Sequence, residues 1–148
     1  MSKCVVIGVT GGIAVYKALD VISALRKKDI EVHVIMTESA SKFVNPLTFQ
    51  SISQNMVVTD MFAEPKAWEI QHISLAQKAD LMLIAPATAN IIGKVANGIA
   101  DDMLSTTIMA AAKAKVIFAP AMNTNMYQNR IVQGNIEKLK SYGYEFIE

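Results

Sequence analysis

Small and neutral polar residues follow each of four hydrophobic runs in this sequence, and few charged residues accompany them. Glycines and hydroxyl groups at the start of a helix bind phosphate through free backbone amides, and asparagine side chains hydrogen-bond to neutral, amide-rich ligands. The pattern therefore favours the binding of a cofactor over acid–base chemistry by a pair of charged side chains. The residues in question are Thr10, Gly11, Gly12, Thr37, Ser39, Thr88, Asn90 and Asn123.

The four hydrophobic runs have the length and composition of buried strands, and the segment YEFIE near the end is a weaker fifth candidate. Helical segments separate them. This alternation predicts an α/β fold with a doubly wound, Rossmann-like or flavodoxin-like parallel sheet and helices on both faces. The polar residues then meet at the carboxyl edge of the sheet, where such folds bind ligands. The predicted strands are Cys4–Val9, Glu31–Met36, Leu81–Pro86 and Lys115–Pro120.

Apolar residues recur at helical spacing between the strands. Asp102 is the predicted N-cap of one helix, and a short helix is predicted to begin after Thr37. Gly93 and Gly98 are predicted to leave the chain loose before Asp102. The longer predicted helices span Val15–Lys28, Ile73–Lys78, Asp102–Ala112 and Ile131–Tyr142.

Length and composition favour a single domain over residues 1–148. The chain is 52% hydrophobic and 18% charged with a net charge of +1, so no basic surface predicts nucleic-acid binding. The longest apolar run is too short to cross a bilayer, and no signal-peptide pattern is present, so a cytoplasmic setting is predicted. Because Cys4 is the only cysteine, and His33 and His72 lie far apart in sequence, neither a disulfide nor a metal site is predicted.

The turn after the first predicted strand has two interpretations. Thr10, Gly11 and Gly12 either form a compact strand-to-helix turn or bind the phosphate of a mononucleotide, and the second is favoured. Their spacing matches neither a P-loop nor a dinucleotide fingerprint, which argues against an NAD-binding domain. Thr37 and Ser39 could reach the same phosphate, although helix capping is the simpler role for them.

The segment after the third predicted strand suits an uncharged, planar ligand such as a flavin ring, because Thr88 and Asn90 offer neutral hydrogen-bonding groups. From the residues alone, His72 is a partly exposed histidine at a helix start, and His33 is structural. Asn125 is interpreted as the cap of a following helix.

Three segments together resemble the flavin-dependent cysteine decarboxylases, and within them the phosphopantothenoylcysteine decarboxylases of coenzyme A biosynthesis. The resemblance covers essentially the whole chain. It implies FMN as the cofactor, decarboxylation of phosphopantothenoylcysteine through oxidation of its thiol to a thioaldehyde, a homotrimer or a trimer-based dodecamer, and often a fused phosphopantothenate–cysteine ligase domain. The segments are GVTGGIAVYK, HISLAQKADLMLIAPATANIIGKVANGIADDMLST and PAMNTNMY.

The resemblance also implies a role for individual residues. His72 falls on the family's active-site histidine, and Asn123 on the asparagine that holds the substrate carboxylate. The residues implied to hold the FMN phosphate are Thr10, Gly11, Gly12, Thr37 and Ser39. Those implied to lie beside the flavin are Thr88, Ala89, Asn90 and Ala121.

One departure from the family pattern concerns a cysteine. Relatives carry an Ala-Cys-Gly motif on a flap further along the chain, and its cysteine donates a proton late in the reaction. This sequence stops at Glu148 before such a motif, and Cys4 in the first strand is not expected to replace it. The expectation is that the 148 residues bind FMN without completing the full cycle efficiently.

Three related functions compete with this interpretation. A peptidyl-cysteine decarboxylase of lantibiotic maturation would share the motifs, and a non-catalytic FMN-binding regulatory subunit would share the fold. A flavin prenyltransferase is disfavoured, because the intact PAMNTNM segment belongs to the decarboxylases.

Overall fold

A five-stranded, fully parallel sheet forms the centre of the computed structural model, which describes residues 3–60 and 74–147. The strands lie in the order β2-β1-β3-β4-β5. They are β1 (Cys4–Val9), β2 (Glu31–Met36), β3 (Leu81–Ala87), β4 (Lys115–Pro120) and β5 (Glu145–Phe146). The helices are α1 (Val15–Lys27), α2 (Glu38–Ser41), α3 (Pro46–Ser53), α4 (Ala89–Ala96), α5 (Met103–Ala110), α6 (Thr124–Gln128) and α7 (Arg130–Ser141), and residues 74–78 are also helical.

Both faces of the sheet are covered by helices, which confirms the predicted doubly wound fold. On β1, Val5, Ile7 and Val9 pack on one face with residues of α1 and α3, whereas Val6 packs on the other with residues of α4, α5 and α7. Burial on both faces explains why the sequences of β1, β3 and β4 are nearly continuously apolar instead of alternating. Every residue of β1 is buried.

The predicted elements agree with the structure except in the segment after β3. The Gly93 prediction is wrong, because Gly93 lies inside α4 instead of loosening the chain. Thr88 caps this helix by accepting a hydrogen bond from the amide of Ile91, and α4 buries Ile91, Ile92 and Val95 against the sheet. Their burial outweighs the low helix propensity of one glycine, which costs about 1 kcal/mol.

The helix α3 was not predicted, although its sequence carries two start signals. Pro46 occupies its first turn, and the Asn45 side chain caps it by accepting a hydrogen bond from the amide of Leu47. Proline at the first turn after an asparagine cap is a common way to begin a helix. Asp102 was correctly predicted as the N-cap of α5, where it forms a capping box with Ser105.

The junction of β1 with β3 is fixed by one buried threonine. The hydroxyl of Thr10 donates to the carbonyl of Pro86 at 2.5 Å and accepts from the amide of Thr88 at 3.1 Å. Thr10 is 2% exposed, so water does not compete for these groups. The two strands are neighbours in the sheet but far apart in sequence, and this bond network holds their carboxyl ends together.

Cys4 lies at the opposite, amino edge of the sheet. The Glu31 carboxylate beside it pairs with Lys78 at 2.5 Å and with His33 at 2.6 Å. Donor atoms of Cys4, Glu31 and His33 lie within 4.8 Å of one another, because parallel pairing of β1 with β2 joins residues that are distant in sequence. Hydrogen bonds with Lys78 and His33 already satisfy the carboxylate and hold its pKa below the usual range, so these contacts account for the cluster. The absence of a metal site stays a prediction.

Among the described residues, no helix combines the length and the apolar character that a bilayer-crossing segment requires.

Cys4 is expected to be unreactive in the folded protein. Burial, with Glu31 next in importance, raises the pKa of its thiol from 9.0 to about 11, so the thiolate fraction at pH 8 falls roughly 100-fold. Because the folded thiol keeps its proton longer than the unfolded one, its contribution to folded stability is complete below pH 9 and declines towards pH 11. A thiol-reactive dye at pH 8 should react at least 100-fold faster in urea than in buffer, whereas similar rates would contradict the burial.

Replacement of Thr10 tests the β1–β3 junction. Thr10→Val removes both hydroxyl hydrogen bonds and leaves the Thr88 amide without its acceptor, so the free energy of unfolding should fall by about 2 kcal/mol. The matched variant Thr10→Ser keeps the hydroxyl and loses one methyl group, for about 1 kcal/mol or less. Urea unfolding followed by circular dichroism measures both. A valine variant as stable as the serine variant would show that the hydroxyl does not hold the junction.

Candidate functional site

A cleft of about 830 Å³ opens at the carboxyl edge of the sheet, above the ends of β1, β2 and β3. It lies between β1 and β3, where the order of the strands switches: β2 is added on one side of β1, and β3, β4 and β5 on the other. This is where open α/β sheets bind ligands. Six residues singled out in the sequence share this cleft. Its lining residues are Thr10, Gly11, Thr37, Glu38, Ser39, Asp60, Thr88, Asn90, Ile91, Lys94, Asp101 and Asp102.

The glycine turn packs tightly against the start of α2. A Cβ atom built on Gly11 would lie 2.6 Å from the Cβ of Ser39 and 3.0 Å from its carbonyl carbon, so no other residue fits without a shift of the backbone. A Cβ on Gly12 would meet nothing within 4 Å, because that side of the turn is open. Gly11 thus lets the turn before α1 approach the first turn of α2. The backbone amides of these two turns lie together at one side of the cleft.

The hydroxyl groups of the cleft differ in what they can still bind. Thr10 both donates and accepts within the protein, so its hydroxyl serves the junction of β1 and β3 and not a ligand. The oxygens of Thr37 and Thr88 each accept a backbone amide as helix N-caps, from Ala40 at 3.1 Å and from Ile91 at 3.3 Å. Since a hydroxyl can donate while it accepts, Thr37 and Thr88 each keep one donor for a ligand.

Ser39 and Asn90 are the exposed polar residues of the cleft that carry no charge. Their side chains form no hydrogen bond with the part of the chain that the structure describes. Ser39 stands beside the glycine turn, and Asn90 lies in the first turn of α4. Both are therefore available to a ligand, one at each side of the β1–β3 junction.

Other predicted site residues lie close to the cleft without lining it. Gly12 and Ala89 are chain neighbours of lining residues. The amide of Ala121 donates to the carbonyl of Ala87 at 3.0 Å, which ties the chain leaving β4 to the end of β3. Ala121 therefore lies next to the segment that begins at Thr88.

Asn123 is exposed and caps α6, where its Oδ1 accepts from the amide of Asn125 at 2.8 Å. Its amide nitrogen makes no hydrogen bond among residues 3–60 and 74–147. The interpretation of Asn125 as a cap is wrong, because Asn125 lies inside α6 and the following helix is capped by Asn129. Three asparagines within seven residues, Asn123, Asn125 and Asn129, made the position of the cap ambiguous in the sequence.

His72, the other residue implied to be catalytic, lies outside the described residues.

A charged wall on one side of the cleft was not predicted. Lys94 of α4 pairs with Asp101 at 2.8 Å and more distantly with Asp102 at 3.5 Å. The ion pair with Asp101 raises the pKa of Lys94 and lowers that of Asp101, so both stay ionised at neutral pH. Asp60 completes the wall by accepting the amide of Met103 at 2.7 Å. The sequence offered one signal for this wall: Lys94 lies one helical turn after Asn90, so both share the helix face that borders the cleft.

The arrangement suits binding better than acid–base catalysis. Backbone amides and neutral donors gather around the glycine turn and the start of α4, and Lys94, Asp101 and Asp102 largely satisfy one another. Such a site can hold a ligand that carries a phosphate at one end and a flat, neutral ring system elsewhere.

Comparison with known sequences identifies relatives over the full length of the chain. A family model described as Flavoprotein matches residues 1–148. The chain is 56% identical to the coenzyme A biosynthesis bifunctional protein CoaBC of Bacillus subtilis over 99% of its own length and 36% of the relative's. It is 43% identical to a probable phosphopantothenoylcysteine decarboxylase of Streptococcus mutans, over its full length and 83% of that protein. The chain thus spans about a third of the bifunctional relative.

Solved structures agree with this relationship. The FMN-dependent cysteine decarboxylase SpaF superposes with a TM-score of 0.89 at 32% identity, over 99% of this chain and 83% of that one. Together with the family match over every residue, these likenesses lead to one assignment: the chain belongs to the flavoprotein family and, within it, to the flavin-dependent cysteine decarboxylases.

Proposed function

We propose that the cleft binds FMN, with its phosphate on the backbone amides around Gly11, Gly12 and Ser39 and on the hydroxyl of Thr37. The close packing of Gly11 on α2 supports this, because it brings the starts of two helices to one end of the cleft. The amides there carry partial positive charge. Thr10, also implied to hold the phosphate, contributes by fixing the turn, since its hydroxyl is occupied.

Charge in the cleft supports the same orientation. A phosphate monoester carries about −1.5 to −2 charges near pH 7, so it is repelled by Asp60, Asp101 and Asp102, the three aspartates that line the cleft. The glycine turn offers only backbone amides and hydroxyls, and the acidic residue nearby, Glu38, is exposed to water. The volume of about 830 Å³ is within the range of ligand pockets of this kind.

The flavin ring would lie near Thr88, Ala89, Asn90 and Ala121. The bond between Ala121 and Ala87 supports this, because it places the end of β4 beside the start of α4. Alanine at two of these positions leaves room for a flat ring, and Asn90 offers a neutral donor and acceptor to its edge.

The proposed reaction is the decarboxylation of phosphopantothenoylcysteine to phosphopantetheine in coenzyme A biosynthesis, which makes the chain a carbon–carbon lyase. Sequence similarity carries this proposal: the chain shares 56% and 43% of its residues with relatives named for this pathway or reaction, and 32% with the cysteine decarboxylase SpaF. A fused phosphopantothenate–cysteine ligase domain is part of the proposal.

When bound, FMN would supply the two-electron oxidation of the substrate's cysteinyl thiol to a thioaldehyde, which is an electron sink for the loss of carbon dioxide. The amide nitrogen of Asn123 would donate to the substrate carboxylate. A neutral donor orients this group without the strong ionic stabilisation that would oppose its loss. His72 would steer the thiol or its proton.

Exposed apolar residues next to the glycine turn support a homo-oligomer, as a trimer or a trimer-based dodecamer. Ile13 is 84% exposed and Tyr16 is 55% exposed, and both directly follow the turn. Large apolar side chains gathered beside a ligand site often mark a surface that another subunit covers.

Carbon dioxide release under single-turnover conditions tests the proposal. FMN-loaded protein is mixed with phosphopantothenoylcysteine or with a peptide that ends in cysteine, and carbon dioxide and the visible flavin absorbance are followed together. We expect release from the first substrate. Release only from the peptide would instead support a peptidyl-cysteine decarboxylase, and flavin binding without release from either would support a regulatory subunit.

The role of Asn123 is tested in the same assay. Asn123→Asp keeps a side-chain oxygen to cap α6, but it removes the donor and repels the substrate carboxylate, so the single-turnover rate of carbon dioxide release at subsaturating substrate should fall roughly 10- to 100-fold. Asn125→Asp, the matched control, adds the same charge two residues away and should change it little. Equal activity of both variants would remove Asn123 from the site.

A further inference from the structure

Lys94 occupies the face of α4 that borders the cleft. Asn90 and Ile91, one turn earlier on the helix, line the same cleft. Residues three and four positions apart share a helix face, so the three side chains form one surface. The Lys94 side chain is 19% exposed, which is unusually low for a lysine.

The loop between α4 and α5 folds back onto Lys94. The chain reverses at Gly98, whose φ of 70° suits glycine, and the amide of Ile99 donates to the carbonyl of Lys94 at 2.8 Å. Three residues after Gly98, Asp101 reaches the ammonium group of the same lysine at 2.8 Å. Lys94 therefore holds residues 97–102 through both its backbone and its side chain.

The neighbouring aspartates have other partners that keep α5 in place. One oxygen of Asp102 accepts the amide of Ser105 at 2.7 Å, and its other oxygen lies 3.5 Å from Lys94. Asp60 accepts the amide of Met103. Among the lining residues of the cleft, Lys94 is thus the cation and pairs with two carboxylates, while the start of α5 is capped without it.

We propose that Lys94 is a positioning residue that holds the loop 97–102 as one wall of the cleft, through its ion pair with Asp101, and thereby sets the affinity for FMN. The proposal rests on the proposed binding of FMN in this cleft. Lys94 acts through the loop and not by touching the phosphate, which is proposed to bind at the glycine turn.

Loss of the ammonium group has two consequences. Asp101, which is 60% exposed, loses the contact that fixes it, and the neighbouring carboxylates of Asp101 and Asp102 then repel one another without the ammonium group that pairs with both. The fold persists, because the capping box of Asp102 with Ser105 does not involve Lys94. The wall becomes mobile, and a bound ligand loses one side of its cleft.

The test is a double-mutant cycle on FMN affinity. Lys94→Met, Asp101→Asn, the double variant and the conservative variant Lys94→Arg are titrated with FMN by quenching of flavin fluorescence. Urea unfolding of each protein without flavin reports stability. Lys115→Met is the matched control, because it removes an exposed ion pair with Glu145 at 3.0 Å from the start of β4, at the opposite edge of the sheet.

We expect Lys94→Met and Asp101→Asn each to raise the Kd for FMN roughly 5- to 30-fold, and the double variant to be no worse than either single one. Lys94→Arg should restore most of the affinity, and Lys115→Met should match the original chain. The unfolding midpoints of the Lys94 and Asp101 variants should stay close to that of Lys115→Met.

Other outcomes overturn the proposal. If Lys94→Met weakens binding while Asp101→Asn leaves it unchanged or tightens it, Lys94 contacts the ligand directly. If both variants lose affinity only in proportion to lost stability, the ion pair is merely structural. If the unaltered chain does not bind FMN, the proposed function fails, whereas normal binding by every variant refutes the role of Lys94 alone.

Discussion

The bond network of Thr10 is the constraint on which the candidate site depends. β1 and β3 are neighbours in the sheet, yet the chain departs from them in opposite directions, towards α1 on one face and α4 on the other. A cleft forms wherever two such segments diverge. Its walls keep a fixed separation here because the Thr10 hydroxyl joins the carbonyl of Pro86 to the amide of Thr88 in a buried setting. Each of these partners belongs to the segment that leads into α4.

The distribution of charge then determines what the cleft can hold. Backbone amides at the glycine turn provide diffuse positive potential without a side chain that would clash with a ligand. Lys94, which also lines the cleft, is paired with acidic residues of the loop before α5. The lining also contains the neutral donors Thr37, Ser39, Thr88 and Asn90. This composition suits a phosphorylated ligand, and it leaves redox chemistry to the ligand itself.

The sequence predicted the fold well because buried parallel strands have a strong local signature. Four hydrophobic runs, three of them nearly continuous and all followed by polar residues, predicted the bounds of β1 to β4 within one residue. The convergence of Gly11, Ser39, Thr88 and Asn90 on one cleft followed from the parallel topology alone. What the sequence could not provide was the choice of partner for each group. The hydroxyl of Thr10 looked like a ligand contact and proved to be a tie between strands.

Long-range pairing explains the other differences. Asp60 reaches the start of α5 because Val58 pairs with Ile35 beside the sheet, a contact between segments with no shared local pattern. The sequence around Lys94 gives no sign of its ion pair, because the partner Asp101 is brought to it by the loop that turns at Gly98. The roles of His72 and Asn123 came from resemblance to a family, and no local rule of spacing would have suggested them.

The position of the phosphate can be measured directly by nuclear magnetic resonance. Chain labelled with nitrogen-15 is titrated with FMN and, separately, with riboflavin, which is the same molecule without the phosphate. We expect the amide signals of Gly11, Gly12 and Ser39 to shift strongly with FMN and much less with riboflavin, while those of Ala89 and Asn90 shift with both. Unchanged signals from the glycine turn in the presence of bound FMN, or equal shifts there with the two ligands, would contradict a phosphate site between α1 and α2.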